Sequence, residues 1–213
     1  MRKLLMMAVI GAVAGLCALP AGSAAAQLEG GLKFGVNIAF LRGANAANFT
    51  SFGSSNWFLR FGLCGGGFMT LPLNRSLAIQ AEALITTKGS HETGTWGGEP
   101  TYTYSLKITY LEIPVLIRVM TRPIKKNAQI FLMAGPALGL MLGSRFMRSS
   151  EVVEFSGIKS TDLGLVLSLG YVIRSRGYTE FRYVAGMSKM IEEDGVPLNV
   201  KNGVFSVIVG YRF

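Results

Sequence analysis

The residues with the clearest potential for chemistry are Ser90, His91 and Glu92, which supply a hydroxyl, a base and a carboxylate in sequence. A membrane deacylase or protease needs a His base beside a Ser nucleophile or an acidic partner. The chain has one His, and adjacent residues of an extended chain point to opposite sides. These three residues therefore do not form a relay by themselves. We expect a solvated loop histidine and no catalytic activity.

Metal and cofactor chemistry also has few candidate residues. Two cysteines, Cys17 and Cys64, accompany the single His, without the spacing of a metal site. We therefore expect no metal and no cofactor. Because Cys17 lies in a predicted leader, Cys64 would remain alone in the exported chain, which excludes an internal disulfide.

The composition points to a membrane protein. Of 213 residues, 50% are hydrophobic and 15% are charged, whereas soluble domains have about 25% charged residues. This composition excludes a disordered chain, and the length suits a single domain. The formal net charge is +9, but no basic stripe interleaved with aromatic residues is present. We therefore expect no nucleic-acid partner.

The N-terminus has the three parts of a secretory signal peptide. Arg2 and Lys3 precede an apolar run that Pro20 ends, and small residues follow up to Ala26. The run is marginal in length for an anchor helix. The predicted organisation is a cleaved signal peptide over residues 1–26 and one β-barrel domain over 27–213.

From residue 31 onward, apolar residues recur with a period of two, which predicts β-strands with two different faces. The alternation defines eight strands, at about 32–40, 57–70, 76–89, 104–119, 128–143, 161–174, 178–189 and 203–213. Four long connections, near 42–56, 90–103, 144–160 and 190–202, alternate with short turns. This layout is typical of an outer-membrane barrel, with its long loops outside the cell.

The charged residues distinguish a membrane barrel from a soluble one. They lie on the smaller, Gly-rich face of the strands, and only Lys107 and Lys189 fall on the bulky apolar face. We expect the apolar face to contact lipid, as for Leu163, Leu165, Leu167 and Leu169, and the polar face to line a narrow interior. Because unpaired charges there would be costly, we predict an interlocked ion network formed by Lys33, Arg60, Glu82, Glu112, Arg118, Glu180 and Arg182.

Two strands depart from simple alternation. In the fourth, inward Glu112 and Arg118 place Leu106 and Ile108 inward as well. Either a bulge near Tyr110 restores the register, or the upper part stands above the bilayer. In the fifth strand, Pro136 has no N–H for the ladder and predicts a local bulge.

The segment Tyr110 to Arg118, YLEIPVLIR, resembles the signature strand of the outer-membrane β-barrel domain family, whose members include porin-family and PorT-like proteins. The start at 31–37, the Ala134-Gly135-Pro136 strand and the aromatic C-terminal strand are also similar to that family. The resemblance covers essentially the whole exported chain. It implies an eight-stranded barrel related in structure to the small outer-membrane A and X proteins, and no defined activity.

The last strand resembles the C-terminal signal that the barrel-assembly machinery recognises. Its alternating apolar residues are Phe205, Val207, Val209, Tyr211 and Phe213. A second reading is an ordinary last strand whose terminal Phe anchors in lipid.

The predicted fold is therefore an all-β, eight-stranded antiparallel up-and-down transmembrane barrel of the outer membrane. The expected role is structural or surface interaction, with no catalysis. The alternative is a narrow barrel that transports or binds a small solute or lipid. Expected partners are outer-membrane lipid, lipopolysaccharide and the assembly machinery. Lipopolysaccharide phosphates would meet Arg145 and Arg148 at the start of the third long loop, unless this loop is merely solvated.

Overall fold

Residues that alternate between bulky apolar and small or polar types form eleven β-strands in the computed structural model. The described residues are 28–43, 59–94, 102–121, 128–148, 151–153, 158–173, 176–189, 191–193 and 196–213. The strands are β1 (Glu29–Arg42), β2 (Arg60–Pro72), β3 (Leu77–Gly94), β4 (Tyr102–Met120), β5 (Ala128–Arg148), β6 (Glu151–Val153), β7 (Thr161–Ile173), β8 (Gly177–Gly186), β9 (Ile191–Glu193), β10 (Val196–Leu198) and β11 (Lys201–Arg212). The predicted signal peptide lies outside the described residues.

Eight of these strands form a closed antiparallel barrel. Each barrel strand pairs with the next one along the chain, in the order β1, β2, β3, β4, β5, β7, β8 and β11. The barrel closes where β11 pairs with β1, from Gly31 opposite Arg212 to Arg42 opposite Lys201. Strand β6 pairs only with the end of β5, and β9 and β10 form a separate hairpin. Closure gives each of the eight barrel strands a paired neighbour on both sides, as a lipid environment requires.

The two faces of the wall have the predicted characters. Along β7, Leu165, Leu167 and Leu169 are exposed, while Val166 and Ser168 between them are buried in the interior. The outer wall is therefore an apolar surface. Leu163 is the exception to the prediction, because it is only 7% exposed and packs with Leu138 in an apolar cluster. Across the described residues, no helix has the length and hydropathy to cross a membrane.

Three neighbouring strands are taller than the rest of the barrel. Strands β3, β4 and β5 have 18, 19 and 21 residues, whereas the other barrel strands have 10 to 14. They continue beyond the predicted loop boundaries, so His91 lies in β3 and Arg145 and Arg148 lie in β5 rather than in loops. The reason is that polar residues such as Ser90 and Thr103 still pair through their backbones.

The predicted irregularity near Tyr110 is present, but the extra residue is on the partner strand. Thr109 pairs with Gly143 and Tyr110 pairs with Met141, so Leu142 of β5 is bulged. Strand β4 keeps its alternation throughout, and Leu106 and Ile108 do point inward, where they are buried.

The bulge predicted at Pro136 is wrong. The register from β5 to β7 is continuous through Pro136, which lies opposite Leu165. The register from β5 to β4 is the same on both sides of this residue, with Pro114 opposite Ala137 and Ile117 opposite Ala134. The wall thus accepts the missing N–H of Pro136 without inserting a residue.

Candidate functional site

The barrel interior contains a buried group of four charges, which we call the lower ion cluster: Lys33, Glu82, Glu180 and Arg182. Lys33 Nζ lies 2.8 Å from Glu82 Oε1 and 3.0 Å from Glu180 Oε2. Arg182 donates to both oxygens of Glu82, at 2.8 and 2.9 Å, and to Glu180 at 2.7 Å. Each side chain is at most 3% exposed. The cluster has two positive and two negative groups, so its formal charge is balanced.

Two other residues of the predicted network, Arg118 and Arg60, form no ion pair with the residues that the structure describes. Arg118 donates to Gln80 Oε1 at 3.3 Å, and its guanidinium carbon lies 4.2 Å from the centroid of Phe131. Arg60 donates to Ser105 Oγ at 2.7 Å near the end of β4. The structure therefore places all seven predicted residues on the inner side but does not join them into one network.

The seventh residue, Glu112, belongs to a second group, the upper ion cluster of Lys88, Glu112 and Asp162. Lys88 Nζ lies 2.6 Å from Glu112 and 3.5 Å from Asp162. Asn202 donates to Asp162 Oδ2 at 3.0 Å. Lys88 and Asp162 were not predicted as network residues, although the alternation of β3 and β7 places both of them inward. This cluster has one positive and two negative groups.

Hydrogen-bonded side chains and a small cavity separate the two ion clusters. Asn37 donates to Thr86 Oγ1 at 2.7 Å and accepts from Ser206 Oγ at 2.8 Å. The adjacent cavity measures about 10 Å³, which is close to the least volume that holds one water molecule. Cys64 is a buried free thiol on the wall of this cavity.

Aromatic rings fill the interior at the end with short turns. We call Phe68, Phe131 and Tyr178 the aromatic seal. Tyr178 makes edge-to-face contacts with Phe68 at 5.7 Å and with Phe131 at 5.6 Å between centroids. The rings lie against three glycines of the wall, because a Cβ atom there would collide with a ring; these glycines are Gly31, Gly170 and Gly210. The seal follows from the pairing of large residues with glycines on facing strands.

A second apolar group fills the interior at the end with long connections. Leu106, Ile108, Tyr110 and Val200 are each at most 5% exposed and form this upper apolar layer. The residues packed around the layer are Leu41, Met141, Phe146 and Ile158. The inward leucine and isoleucine of β4, which seemed inconsistent with a polar interior, therefore belong to a cap above the upper ion cluster.

Ser90 and His91, for which we predicted no catalytic relay, are neighbours on β3. His91 is exposed on β3 opposite Ser105, and neighbouring strand residues face opposite sides. No group of three or more His, Cys, Asp or Glu side chains within the described ranges is placed to hold a metal ion.

The last barrel strand presents its apolar residues outward. Phe205, Val207, Val209, Tyr211 and Phe213 are 45–71% exposed. The Phe213 N–H donates to the Gly30 carbonyl at 2.9 Å, and Arg212 pairs with Glu29 at 2.7 Å. These contacts join the last strand to the first at the end with short turns.

Comparison with known proteins is consistent with this architecture. Residues 21–192 match the family model for the outer membrane protein beta-barrel domain. No curated protein matches the sequence.

Among solved structures, Neisserial surface protein A is similar with a TM-score of 0.51 at 12% identity, covering 86% of this chain and 97% of that protein. Ail, the attachment invasion locus protein of Yersinia pestis, solved with the heparin analogue sucrose octasulfate, has a TM-score of 0.49 at 14% identity, with 88% and 99% of the chains covered. At these identities the first likeness shows the fold alone. The family match covers most of the chain, and the chain therefore belongs to the outer-membrane β-barrel domain family and is a protein of the outer membrane.

Proposed function

We propose that this protein is a sealed outer-membrane barrel with a structural or surface-interaction role and no catalytic activity. The observation that supports this role is the filling of the interior. Two ion clusters lie between the aromatic seal and the upper apolar layer, and the cavity between them is about 10 Å³. Pockets for small ligands have volumes of about 300–1,000 Å³. Among the residues that the structure describes, the cavity inside the barrel is therefore too small to bind or pass a solute.

A larger concavity of about 780 Å³ lies along the outer wall, beside exposed residues such as Ile117, Leu132 and Leu167. In an outer-membrane protein this surface faces acyl chains. The groove therefore fits membrane lipid, the first of the proposed partners, better than a soluble ligand. The alternative role, a narrow barrel for a small solute or lipid, has no comparable space within the described interior.

The proposed contact surface is formed by the long connections. Residues 43–59, 95–101, 149–160 and 187–200 connect strand ends that all lie at one end of the barrel, opposite the short turns. In outer-membrane barrels the long loops are extracellular, so this end would face lipopolysaccharide and the cell's surroundings. We further propose export through a cleaved signal peptide of residues 1–26. The mass of the N-terminal peptide of the mature protein tests this cleavage directly.

Solute flux and loop deletion together test the role. Liposomes that contain the full chain should retain a small solute such as glycine as well as empty liposomes do. A variant that opens the aromatic seal, Phe68→Ala with Phe131→Ala, should leak more than the wild type and serves as the positive control. Replacing residues 95–101 by a Gly-Ser linker should reduce adhesion or envelope integrity without changing flux. Rapid flux through the wild-type barrel would favour the transport alternative.

We also propose that β11 is recognised by the barrel-assembly machinery. Its outward apolar residues and its backbone pairing with β1 suit an edge that pairs with another strand before the barrel closes.

A further inference from the structure

The bulge in β5 changes the side of the wall on which Arg145 lies. Below the bulge, odd-numbered residues of β5 such as Phe131 and Met133 point into the barrel. Because Leu142 is inserted, this alternation reverses above it. Phe146 therefore packs against the upper apolar layer, and Arg145 is exposed on the outer face.

The reversal brings two cations together. Arg145 lies directly opposite Lys107 of β4, and both side chains are exposed. Opposed residues of neighbouring strands have Cβ atoms about 4.5–5.5 Å apart, and like charges there destabilise a sheet. Within the described part of the chain, neither side chain forms an ion pair or a side-chain hydrogen bond. The pair therefore has an electrostatic cost that a bound anion would remove.

The surroundings of the pair leave room for such an anion. Lys107 faces Gly89 on β3, which has no side chain. Gly143, two residues before Arg145, has open space where a Cβ atom would stand. The open space on the exposed wall is therefore at Gly143, beside Arg145, whereas Gly89 is buried and a Cβ atom there would collide with the Leu106 carbonyl.

The height of the pair on the wall corresponds to the membrane surface. On β5, Arg145 lies three residues past the exposed Leu142. On β4, Lys107 lies four residues past the outward Leu111. At about 3.4 Å per residue and a tilt near 40°, four residues rise about 10 Å. The headgroup region extends about 5–8 Å beyond the hydrocarbon core. With Leu111 and Leu142 at the edge of that core, the two backbones stand at or just above the outer limit of this region, and the long side chains of both cations can extend back into it.

We propose that Lys107 and Arg145 form a binding site for a phosphate group of outer-leaflet lipopolysaccharide. The guanidinium of Arg145 supplies two parallel N–H donors, and the Lys107 ammonium adds a point charge. This inference rests on the proposed function in one respect, the placement of the long connections outside the cell. It also assigns a role to the outward Lys107, which the lipid-facing alternation left unexplained.

Binding of radiolabelled lipopolysaccharide to the purified full chain in zwitterionic detergent micelles tests the proposal. Because a charged hydrogen bond contributes about 1.5–3 kcal/mol, Lys107→Ser with Arg145→Ser should weaken binding about tenfold or more. The matched control is Arg75→Ser with Lys189→Ser, which removes two exposed cations away from the pair. The control should change affinity by less than about twofold. Equal losses in both double variants, or no loss in the first, would overturn the proposal.

Three further measurements complete the test. Lipopolysaccharide without its phosphates should bind the wild type as weakly as intact lipopolysaccharide binds the double variant. Inorganic phosphate that displaces the labelled lipid at equal concentration would indicate a free-phosphate site and contradict the lipid assignment. Deleting Leu142 should remove the bulge but leave Arg145 opposite Lys107 on the outer face, so this deletion and Leu142→Ala should both preserve binding. Heat-modifiable migration on a gel verifies that each variant folds. Solute flux, which tests the sealed interior, is measured separately, so the two proposals fail independently.

Discussion

Lys88 Nζ lies 2.6 Å from the Glu112 carboxylate inside the barrel, and both side chains are at most 4% exposed. Asp162, 3.5 Å from the same ammonium, gives the upper ion cluster two anions for one cation. The two members of the Lys88–Glu112 pair are therefore unequal in their importance for stability.

Replacing Lys88 should be the more damaging change. Lys88→Met leaves two buried carboxylates without a cation and should lower the free energy of unfolding by about 3–5 kcal/mol. Glu112→Gln leaves Lys88 with Asp162, so only a charged hydrogen bond is lost, and the cost should be about 1–3 kcal/mol. Urea unfolding in detergent or lipid measures both values. The reverse order would contradict the charge count of this cluster.

In the lower ion cluster, Glu82 should be the critical anion because Lys33, Arg182 and Gln80 all donate to it. Glu82→Gln leaves two cations with Glu180 alone, and we expect a loss of about 3–5 kcal/mol in the free energy of unfolding. The matched control is Glu29→Gln, which breaks the half-exposed pair with Arg212 and should cost at most about 1 kcal/mol. Similar losses for both variants would show that burial of the cluster is not what makes it stabilising.

The free-energy cost of placing a charged side chain on the outer wall should depend on its depth in the membrane. Leu167, at the middle of β7, is 51% exposed, and Ile173, at its end, is 47% exposed. Leu167→Arg should cost about 2–4 kcal/mol and Ile173→Arg about 0–1 kcal/mol. Refolding equilibria in lipid vesicles provide the comparison. Equal costs would contradict the placement of Leu167 near the membrane midplane. Ser168→Arg is not a mild control, because Ser168 is buried and accepts a hydrogen bond from Arg182.

The aromatic seal should be sensitive to a single methyl group. A Cβ atom on Gly170 would collide with the Phe131 ring, whereas one on Gly143 would meet nothing within 4 Å. Gly170→Ala should therefore destabilise the barrel by about 1–3 kcal/mol. Gly143→Ala, the same chemical change, should be neutral or stabilise the barrel by up to about 1 kcal/mol. Thermal or urea unfolding distinguishes them, and identical behaviour would mean that the ring moves aside freely.

Phe213→Ala should affect assembly more than stability. The ring is 71% exposed and contacts only Tyr211 edge to face among the described aromatic pairs. If β11 is an assembly signal, pulse-labelled cells should insert the variant slowly, while barrels refolded in detergent unfold nearly as the wild type does. Normal insertion with a matching loss of stability would support a lipid anchor instead. Phe205→Ala, in the same strand, separates the effect of the last aromatic residue from that of the strand as a whole.

The sequence predicts the eight barrel strands because apolar alternation follows directly from a wall with lipid on one side. It does not predict the full height of β3, β4 and β5, since residues such as Ser90 and Thr103 continue the ladder through backbone bonds that side-chain hydropathy does not reveal. It also misplaces the bulge, because the misfit in β4 is resolved by Leu142 in β5 and by an apolar layer inside the barrel.

For the ion clusters, the alternation of apolar and polar residues predicts which charged side chains point into the barrel, but not which of them pair with each other. Glu112 pairs with Lys88 rather than with an arginine, since the pairing depends on register and on height along the barrel axis. Asp162 is the second residue of β7, a largely apolar strand, and a single inward carboxylate there gives little signal in the sequence.

The order in which the lower ion cluster acquires its charges has a consequence for how the barrel is built. Lys33 and Glu82 belong to β1 and β3, 49 residues apart, and can neutralise each other as soon as the first hairpins associate. Glu180 follows its partner Lys33 by 147 residues, and Arg182 follows its partner Glu82 by 100 residues. They lie on one strand and already bond each other at 2.7 Å. The inward face of β8 therefore has no net charge when this strand joins the growing sheet. If strands are added in chain order, at no stage must an unmatched charge of this cluster be moved into the closing interior.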